Sequence, residues 1–238
     1  MTSAPPPATA APLGSRRLAD FIKAYDVRGL VPEQLDEQVA RAIGAAFAQV
    51  VVRPEGASGV VVGHDMRPSS PSLSRAFAEG VASHGIDVTL IGLCSTDGLY
   101  YASGALDLPG AMFTASHNPA QYNGIKLCRA GAAPIGQESG LSAIRELAEA
   151  DSYAPAGRTG SVTQRDVLGE YSAYLRSLVD LAAIRPLTVV VDAGNGMGGY
   201  TVPVVLADLP LTVVPMYFEL DGSFPNHEAN PLDPANLV

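Results

Sequence analysis

Residues 60–65 read Val-Val-Val-Gly-His-Asp, a β-branched run that ends in two polar residues. Because β-branched side chains favour extended backbone, this run predicts a buried strand. Apolar residues then recur at helical spacing between Ser70-Pro71 and Gly85, and residues 88–93 return to a strand pattern. The order strand, helix, strand predicts parallel pairing within an α/β layer.

The same arrangement returns at residues 188–193, Thr-Val-Val-Val-Asp-Ala, which are followed by a glycine-rich loop, a helix and a strand. We therefore predict two related α/β domains with mixed, mostly parallel sheets covered by helices, the second of them incomplete. The predicted divisions are a disordered tail at 1–17, domain I at 18–150, a linker at 151–160 and domain II at 161–238.

Periodicity predicts further elements around these units. Strands at 110–113 and 125–128 should pair antiparallel. Helices are predicted at 32–50, 138–150 and about 163–183.

Composition and charge exclude several function classes. The 238 residues are 47% hydrophobic and 16% charged, which is ample for sizeable cores. A net charge of −9 argues against a surface for nucleic acid or anionic membranes. No apolar run reaches the length of a membrane span, and Cys94 and Cys128 lack metal or redox spacing. We expect a cytoplasmic protein with both cysteines reduced in its core.

Residues 114–119, Thr-Ala-Ser-His-Asn-Pro, form a polar loop after an apolar run. A serine hydroxyl at the carboxyl end of a buried strand is placed to act as a covalent nucleophile, with His117 beside it and Asn118 able to orient a partner. These are also ordinary turn residues, so a plain turn remains the alternative at this point.

Residues 122–126, Tyr-Asn-Gly-Ile-Lys, predict a sharp turn at Asn-Gly and a strand that carries Lys126 toward the serine loop. Of the fifteen basic residues, only Lys23 and Lys126 are lysines. A mobile ammonium near Ser116 suits a phosphate ligand or a proton carrier.

Two arginines follow polar patterns elsewhere. Residues 64–67 read His-Asp-Met-Arg, so Arg67 either supports the serine loop or pairs with Asp65 to position a helix. Residues 25–29 read Tyr-Asp-Val-Arg-Gly, and Arg28 either grips phosphate through its planar fork or forms an ordinary pair with its neighbouring acid.

The glycine-rich segment 192–199 lacks both a dinucleotide fingerprint and a P-loop. Tight strand-to-helix packing explains its glycines better. His84 and His227 show no ligand spacing, and we assign neither a role.

Taken together, these segments resemble the α-D-phosphohexomutases, specifically the bacterial phosphomannomutase/phosphoglucomutase branch. The resemblance runs from about residue 18 to the end. It rests on five segments in the family's order: 25–29, 63–67, 114–126, 192–198 and 221–227.

The resemblance implies that Ser116 is a phosphoserine that interconverts hexose 1-phosphate and hexose 6-phosphate, of mannose or glucose, through a bisphosphorylated sugar. Hexose 1,6-bisphosphate would be the intermediate or activator, and Mg²⁺ the cofactor, with Ser116 as a ligand through its phosphate. The implied catalytic residues are Ser116, His117, Lys126 and Arg28. The implied phosphate-binding residues are Tyr25, Asn118 and Arg67.

The chain departs from the family in one respect. Members are about twice as long, and no Asp-Gly-Asp-x-Asp-Arg metal loop occurs before Val238. We therefore expect an amino-terminal half with little mutase activity of its own. A non-catalytic sugar-phosphate-binding or regulatory module is the alternative. A serine hydrolase using Ser116 and His117 is weaker, because GxSxG is absent. The preferred sugar and the oligomeric state stay open.

Overall fold

A computed structural model describes residues 17–154, 156–230 and 234. The predicted tail at 1–17 therefore lies, apart from its last residue, outside the described residues. The strands are β1 Val27–Leu30, β2 Gly59–His64, β3 Asp87–Leu93, β4 Gly110–Phe113, β5 Tyr122–Arg129, β6 Ala133–Pro134, β7 Val162–Gln164, β8 Leu187–Asp192 and β9 Leu211–Met216. The helices are α1 Glu37–Phe47, α2 Ser70–Ala82, α3 Thr96–Leu106, α4 Ser142–Ala150, α5 Leu168–Ser177 and α6 Gly198–Val205.

The larger sheet has the strand order β1-β5-β4-β2-β3-β7, with β6 paired to β5. Strands β4, β2, β3 and β7 are parallel, whereas β5 runs antiparallel to both β1 and β4. Strands β8 and β9 form a separate parallel pair joined through α6. The predicted fold class, a mixed α/β fold with mostly parallel strands and covering helices, is confirmed.

Close helix packing on the larger sheet explains two glycines. A Cβ on Gly44 of α1 would lie 2.2 Å from the carbonyl oxygen of Phe77, and one on Gly80 of α2 would lie 2.1 Å from that of Arg41. The two helices therefore touch through their backbones. Behind them the ring of Phe77 packs 5.6 Å from that of Phe113 at the end of β4, next to the serine loop.

The helix predicted at about 163–183 is confirmed only in its central part, and its predicted bounds are wrong. Residues 162–164 instead form β7 on the free edge of β3, and helix α5 spans only Leu168–Ser177. β-branched Val162 and Thr163 suit an edge strand, and the hydroxyl of Thr163 donates to the carbonyl of Val88 at 3.4 Å.

The predicted Asn-Gly turn is also wrong, because Asn123 and Gly124 lie inside β5. Gly124 is needed there for close backbone approach, since a Cβ would lie 2.4 Å from the carbonyl oxygen of Val27 and 2.8 Å from that of Thr114. Asn123 is buried and donates to the hydroxyls of Ser69 and Ser70 at the start of α2. The chain reverses instead within the serine loop.

Helix α3 was not foreseen from periodicity. It begins at a serine cap, where Ser95 Oγ accepts a hydrogen bond from the amide of Gly98 at 3.1 Å. Helix α1 begins five residues later than predicted, at Glu37 rather than Pro32, because Asp36 caps it by accepting from the amide of Val39.

Both cysteines are free and buried, as predicted. Burial raises the pKa of Cys94 to about 12, so its thiol stays protonated at neutral pH. Among the residues that the structure describes, no helix has the length and apolarity to cross a membrane.

Candidate active site

The serine loop connects the buried strand β4 to β5 and holds Ser116 at its exposed tip. Ser116 has a φ of 51°, in the left-handed region that residues other than glycine rarely adopt. Its amide donates to the hydroxyl of Thr114 at 3.0 Å, and the amide of Asn118 donates to the carbonyl of Ala115 at 3.0 Å. Strained backbone of this kind persists only where surrounding contacts impose it, and it clusters at functional sites.

Those surrounding contacts come from Arg67. Its guanidinium reaches the loop from beneath and donates four hydrogen bonds of 2.7–2.9 Å to backbone carbonyls. The accepting residues are Ser116, Asn118, Pro119 and Tyr122. One side chain thus fixes both limbs of the loop.

Arg67 itself is fully buried, with 0% of its side chain exposed. Burial lowers its pKa from the ordinary value, and the carboxylate of Asp65, 3.3 Å from Nε, opposes that shift. Asp65 is fixed in turn, because its Oδ1 accepts from the hydroxyl of Ser70 at 2.6 Å and from the amide of Arg67 at 3.0 Å. This geometry favours support of the loop over the direct phosphate contact expected from the sequence.

His117 is exposed beside the serine, and its Nδ1 lies 3.3 Å from the hydroxyl oxygen of Ser116. Proton exchange between the two groups is therefore within reach, its direction depending on the tautomer. Two of the carboxylates that line the cleft, Asp65 and Asp192, are engaged by Arg67 and His227 instead. The orienting acid that a hydrolytic triad requires is thus not supplied by either of them.

Two cations, Arg28 and Lys126, share the carboxylate of Asp26 near Asn118. Arg28 donates to the side-chain oxygen of Asn118 and, at 2.7 Å, to Asp26, whose carboxylate also lies 3.4 Å from the ammonium of Lys126. Sheet register explains the grouping: Arg28 of β1 is directly opposite Gly124 of β5, so Lys126 projects from the same face two residues along. Arg28 and Lys126 remain about a quarter exposed, at 24% and 25%.

The structure thus brings together five predicted residues: Ser116, His117, Asn118, Arg28 and Lys126. Tyr25 is 70% exposed, and its ring is not packed into this cluster.

A cleft with a volume of about 480 Å³ opens beside the serine loop. One wall contains Ser116, His117 and Asp65, and the facing wall comes from the loop after β8 and the segment around residues 224–230. The two halves of the chain therefore meet across Ser116. Arg28 and Lys126 do not belong to this wall and approach the loop from outside it.

Sequence reasoning missed His227, which lines the same cleft. Its Nδ1 lies 3.0 Å from the carbonyl of Glu228, and its Nε2 lies 3.0 Å from the carboxylate of Asp192. These two hydrogen bonds, in that order, raise the pKa of His227 above its ordinary value. The available signal was that residues 192–198 and 221–227 belong to the resemblance, although spacing within the sequence could not pair them.

Comparisons with known proteins match both halves of the chain. Residues 20–154 match the family described as phosphoglucomutase/phosphomannomutase, alpha/beta/alpha domain I, and residues 169–238 match its domain II.

Individual relatives agree. Phosphohexose mutases of Xanthomonas campestris pv. campestris are 43% identical over 215 residues, 90% of this chain and 47% of the relative. The phosphomannomutase/phosphoglucomutase of Pseudomonas aeruginosa is 38% identical over 220 residues, 92% of this chain and 46% of the relative. A crystal structure of a phosphoglucomutase/phosphomannomutase family protein from Burkholderia thailandensis superposes with a TM-score of 0.83 at 35% identity, covering 91% of this chain and 48% of that one.

The chain spans about half the length of the curated relatives it matches. By sequence and by fold, it belongs to the phosphoglucomutase/phosphomannomutase family.

Proposed function

We propose that this chain is the phosphoserine-bearing part of a phosphohexomutase that interconverts hexose 1-phosphate and hexose 6-phosphate, of mannose or glucose, in the cytoplasm. The observation that carries the proposal is Ser116, an exposed hydroxyl on a left-handed residue that Arg67 holds through the loop's carbonyls. A backbone conformation that is strained in order to fix one hydroxyl at a cleft suits a group that accepts and returns a phosphoryl group.

Charge supports the same reading. A phosphoserine carries about −1.5 to −2 charges at neutral pH and needs cations close by. Arg28 and Lys126 supply two positive charges around Asn118, and Asp26 neutralises only one of them. Because Asp26 binds both cations, it also holds them in place before a phosphate arrives.

The transfer needs two proton movements. A sugar hydroxyl oxygen forms a bond to the phosphorus of phospho-Ser116 while the bond from phosphorus to Oγ breaks. We propose that the hydroxyl proton passes to the imidazole of His117, whose Nδ1 lies 3.3 Å from Oγ, and that the ammonium of Lys126 gives Oγ its proton. The reverse transfer, from the other phosphate of hexose 1,6-bisphosphate, returns the phosphoryl group to Ser116 and completes the isomerisation.

Mg²⁺ is the cofactor that the family resemblance implies, and when bound it would neutralise charge on the transferring group. In the described part of the chain, no group of three or more His, Cys, Asp or Glu side chains could hold a metal ion. The described residues therefore do not form a magnesium site by themselves, and every step above uses only groups of this chain.

Replacing Ser116 by Ala tests the proposal against a non-catalytic binding module. A phosphoserine protein loses uptake of phosphate from hexose 1,6-bisphosphate, whereas a binding module keeps its affinity for the sugar phosphate and has no phosphate uptake to lose. The matched control is Ser152→Ala, at an exposed serine away from the loop. We also propose that the 238-residue chain alone turns over little substrate. Rates near those of a longer homologous enzyme would contradict that part.

A further inference from the structure

Arg67 fixes the serine loop, and one face of its guanidinium is covered from the other half of the chain. The ring of Phe224 lies over this face, 5.1 Å from ring centroid to Cζ. A desolvated guanidinium over an aromatic face is among the stronger cation–π arrangements. Phe224 lies on segment 221–226, which follows β9 and which we call the bracing segment.

The bracing segment touches Arg67 through its backbone as well. A Cβ on Gly222 would lie 2.7 Å from Cα of Arg67 and 2.8 Å from Cδ of Pro68. Neither atom belongs to the end of a flexible side chain that could move aside, so only glycine permits this contact. Gly222 is buried there.

The backbone of Phe224 adopts an unfavourable conformation. Its φ is 53°, in the left-handed region that glycine and asparagine occupy most easily and that a bulky aromatic residue disfavours. Such a conformation persists only where surrounding contacts impose it, and the contact of the ring with Arg67 is one of them.

The bracing segment is itself tied to the loop after β8 by Asn195, a residue only 3% exposed. The side chain of Asn195 donates to the carbonyl of Glu219 at 3.0 Å and accepts from the side chain of Asn226 at 2.7 Å. The amide of Asp221 donates to the carbonyl of Asn195 at 3.0 Å. Contacts therefore run without a break from β8 to Arg67 and on to Ser116.

We propose that Phe224 and Gly222 are positioning residues for Ser116: by covering Arg67, the bracing segment lets the second half of the chain set the position of the phosphoryl-carrying loop. The role of these residues in phosphoryl transfer rests on the proposed function, whereas the coupling of the bracing segment to the position of the serine loop does not. Loss of the ring admits water to the guanidinium, which then competes with the loop carbonyls for its donors.

The test compares four variants in the whole protein. Phe224→Gly suits the left-handed backbone but removes the ring, Phe224→Leu keeps apolar volume without a π face, and Phe224→Tyr keeps the ring. Phe218→Leu is the matched control, because it removes a neighbouring ring other than the one over Arg67. We measure the rate of Ser116 phosphorylation by hexose 1,6-bisphosphate, its KM, and amide hydrogen exchange at residues 116–122.

Phe224→Gly and Phe224→Leu should each lower the maximal rate by about tenfold with KM nearly unchanged, and raise exchange in the loop by a similar factor. Phe224→Tyr and Phe218→Leu should stay within about twofold of the unmodified protein. Unchanged rate and exchange in Phe224→Leu would overturn the proposal. If the unmodified protein takes up no phosphate, the proposed function fails, and the exchange data alone then decide the coupling.

Discussion

Replacing Arg67 by Lys should loosen the serine loop without removing the buried charge. The guanidinium donates to four carbonyls at 2.7–2.9 Å, whereas an ammonium has three donors on one atom. At least one carbonyl therefore loses its partner, and a single nitrogen cannot span both limbs of the loop. Hydrogen bonds to charged groups contribute about 1.5–3 kcal/mol each. Allowing for partial rehydration of the exposed loop, we expect unfolding free energy to fall by about 2–4 kcal/mol.

Urea denaturation followed by circular dichroism measures this loss, and Arg75→Lys is the matched control at an exposed arginine of α2. The control should change stability by less than about 0.5 kcal/mol. If Arg67→Lys is equally mild, the four hydrogen bonds do not hold the loop and the reasoning fails. Lower stability together with faster amide exchange at residues 116–122 would support it.

Two further predictions concern charge at the site. Lys126→Met should slow phosphorylation of Ser116 by about 100-fold or more, if Lys126 carries a proton, while the other lysine replaced in the same way, Lys23→Met, should leave the rate unchanged. The pKa of His227 is raised above 6.5, so its contribution to stability is fully present below pH 6.5 and is lost as pH rises through the folded-state pKa. Asp192→Asn should lower that pKa in an NMR titration, and an unchanged titration curve would show that the pair is not coupled.

Much of the fold follows from local pattern. The β-branched run of β2, the opening of α2 at Ser70-Pro71 and the strand β3 are each visible in the sequence, because their periods and helix-start residues are local properties. Strand β7 was missed because a three-residue edge strand has no period of its own. It is a strand because it pairs with the edge of β3.

The sequence predicted which residues form the candidate site better than it predicted the role of each residue. The chemistry of the site is visible in the residue types of Ser116, His117 and Lys126, which supply a hydroxyl, an imidazole and an ammonium group. Arg67 was placed among the phosphate ligands because a sequence does not show that its donors face four carbonyls. Phe224 lies in segment 221–227 of the resemblance but was given no role, since only the fold brings its ring over a guanidinium that lies 157 positions earlier, the difference between 224 and 67.

The central claim is that Ser116 carries the phosphoryl group. The most direct measurement is site mapping by tandem mass spectrometry after incubation with hexose 1,6-bisphosphate. We predict one phosphoryl group, located on Ser116, and no incorporation in Ser116→Ala. Phosphate located on a different residue, or equal incorporation in Ser116→Ala, would contradict the account.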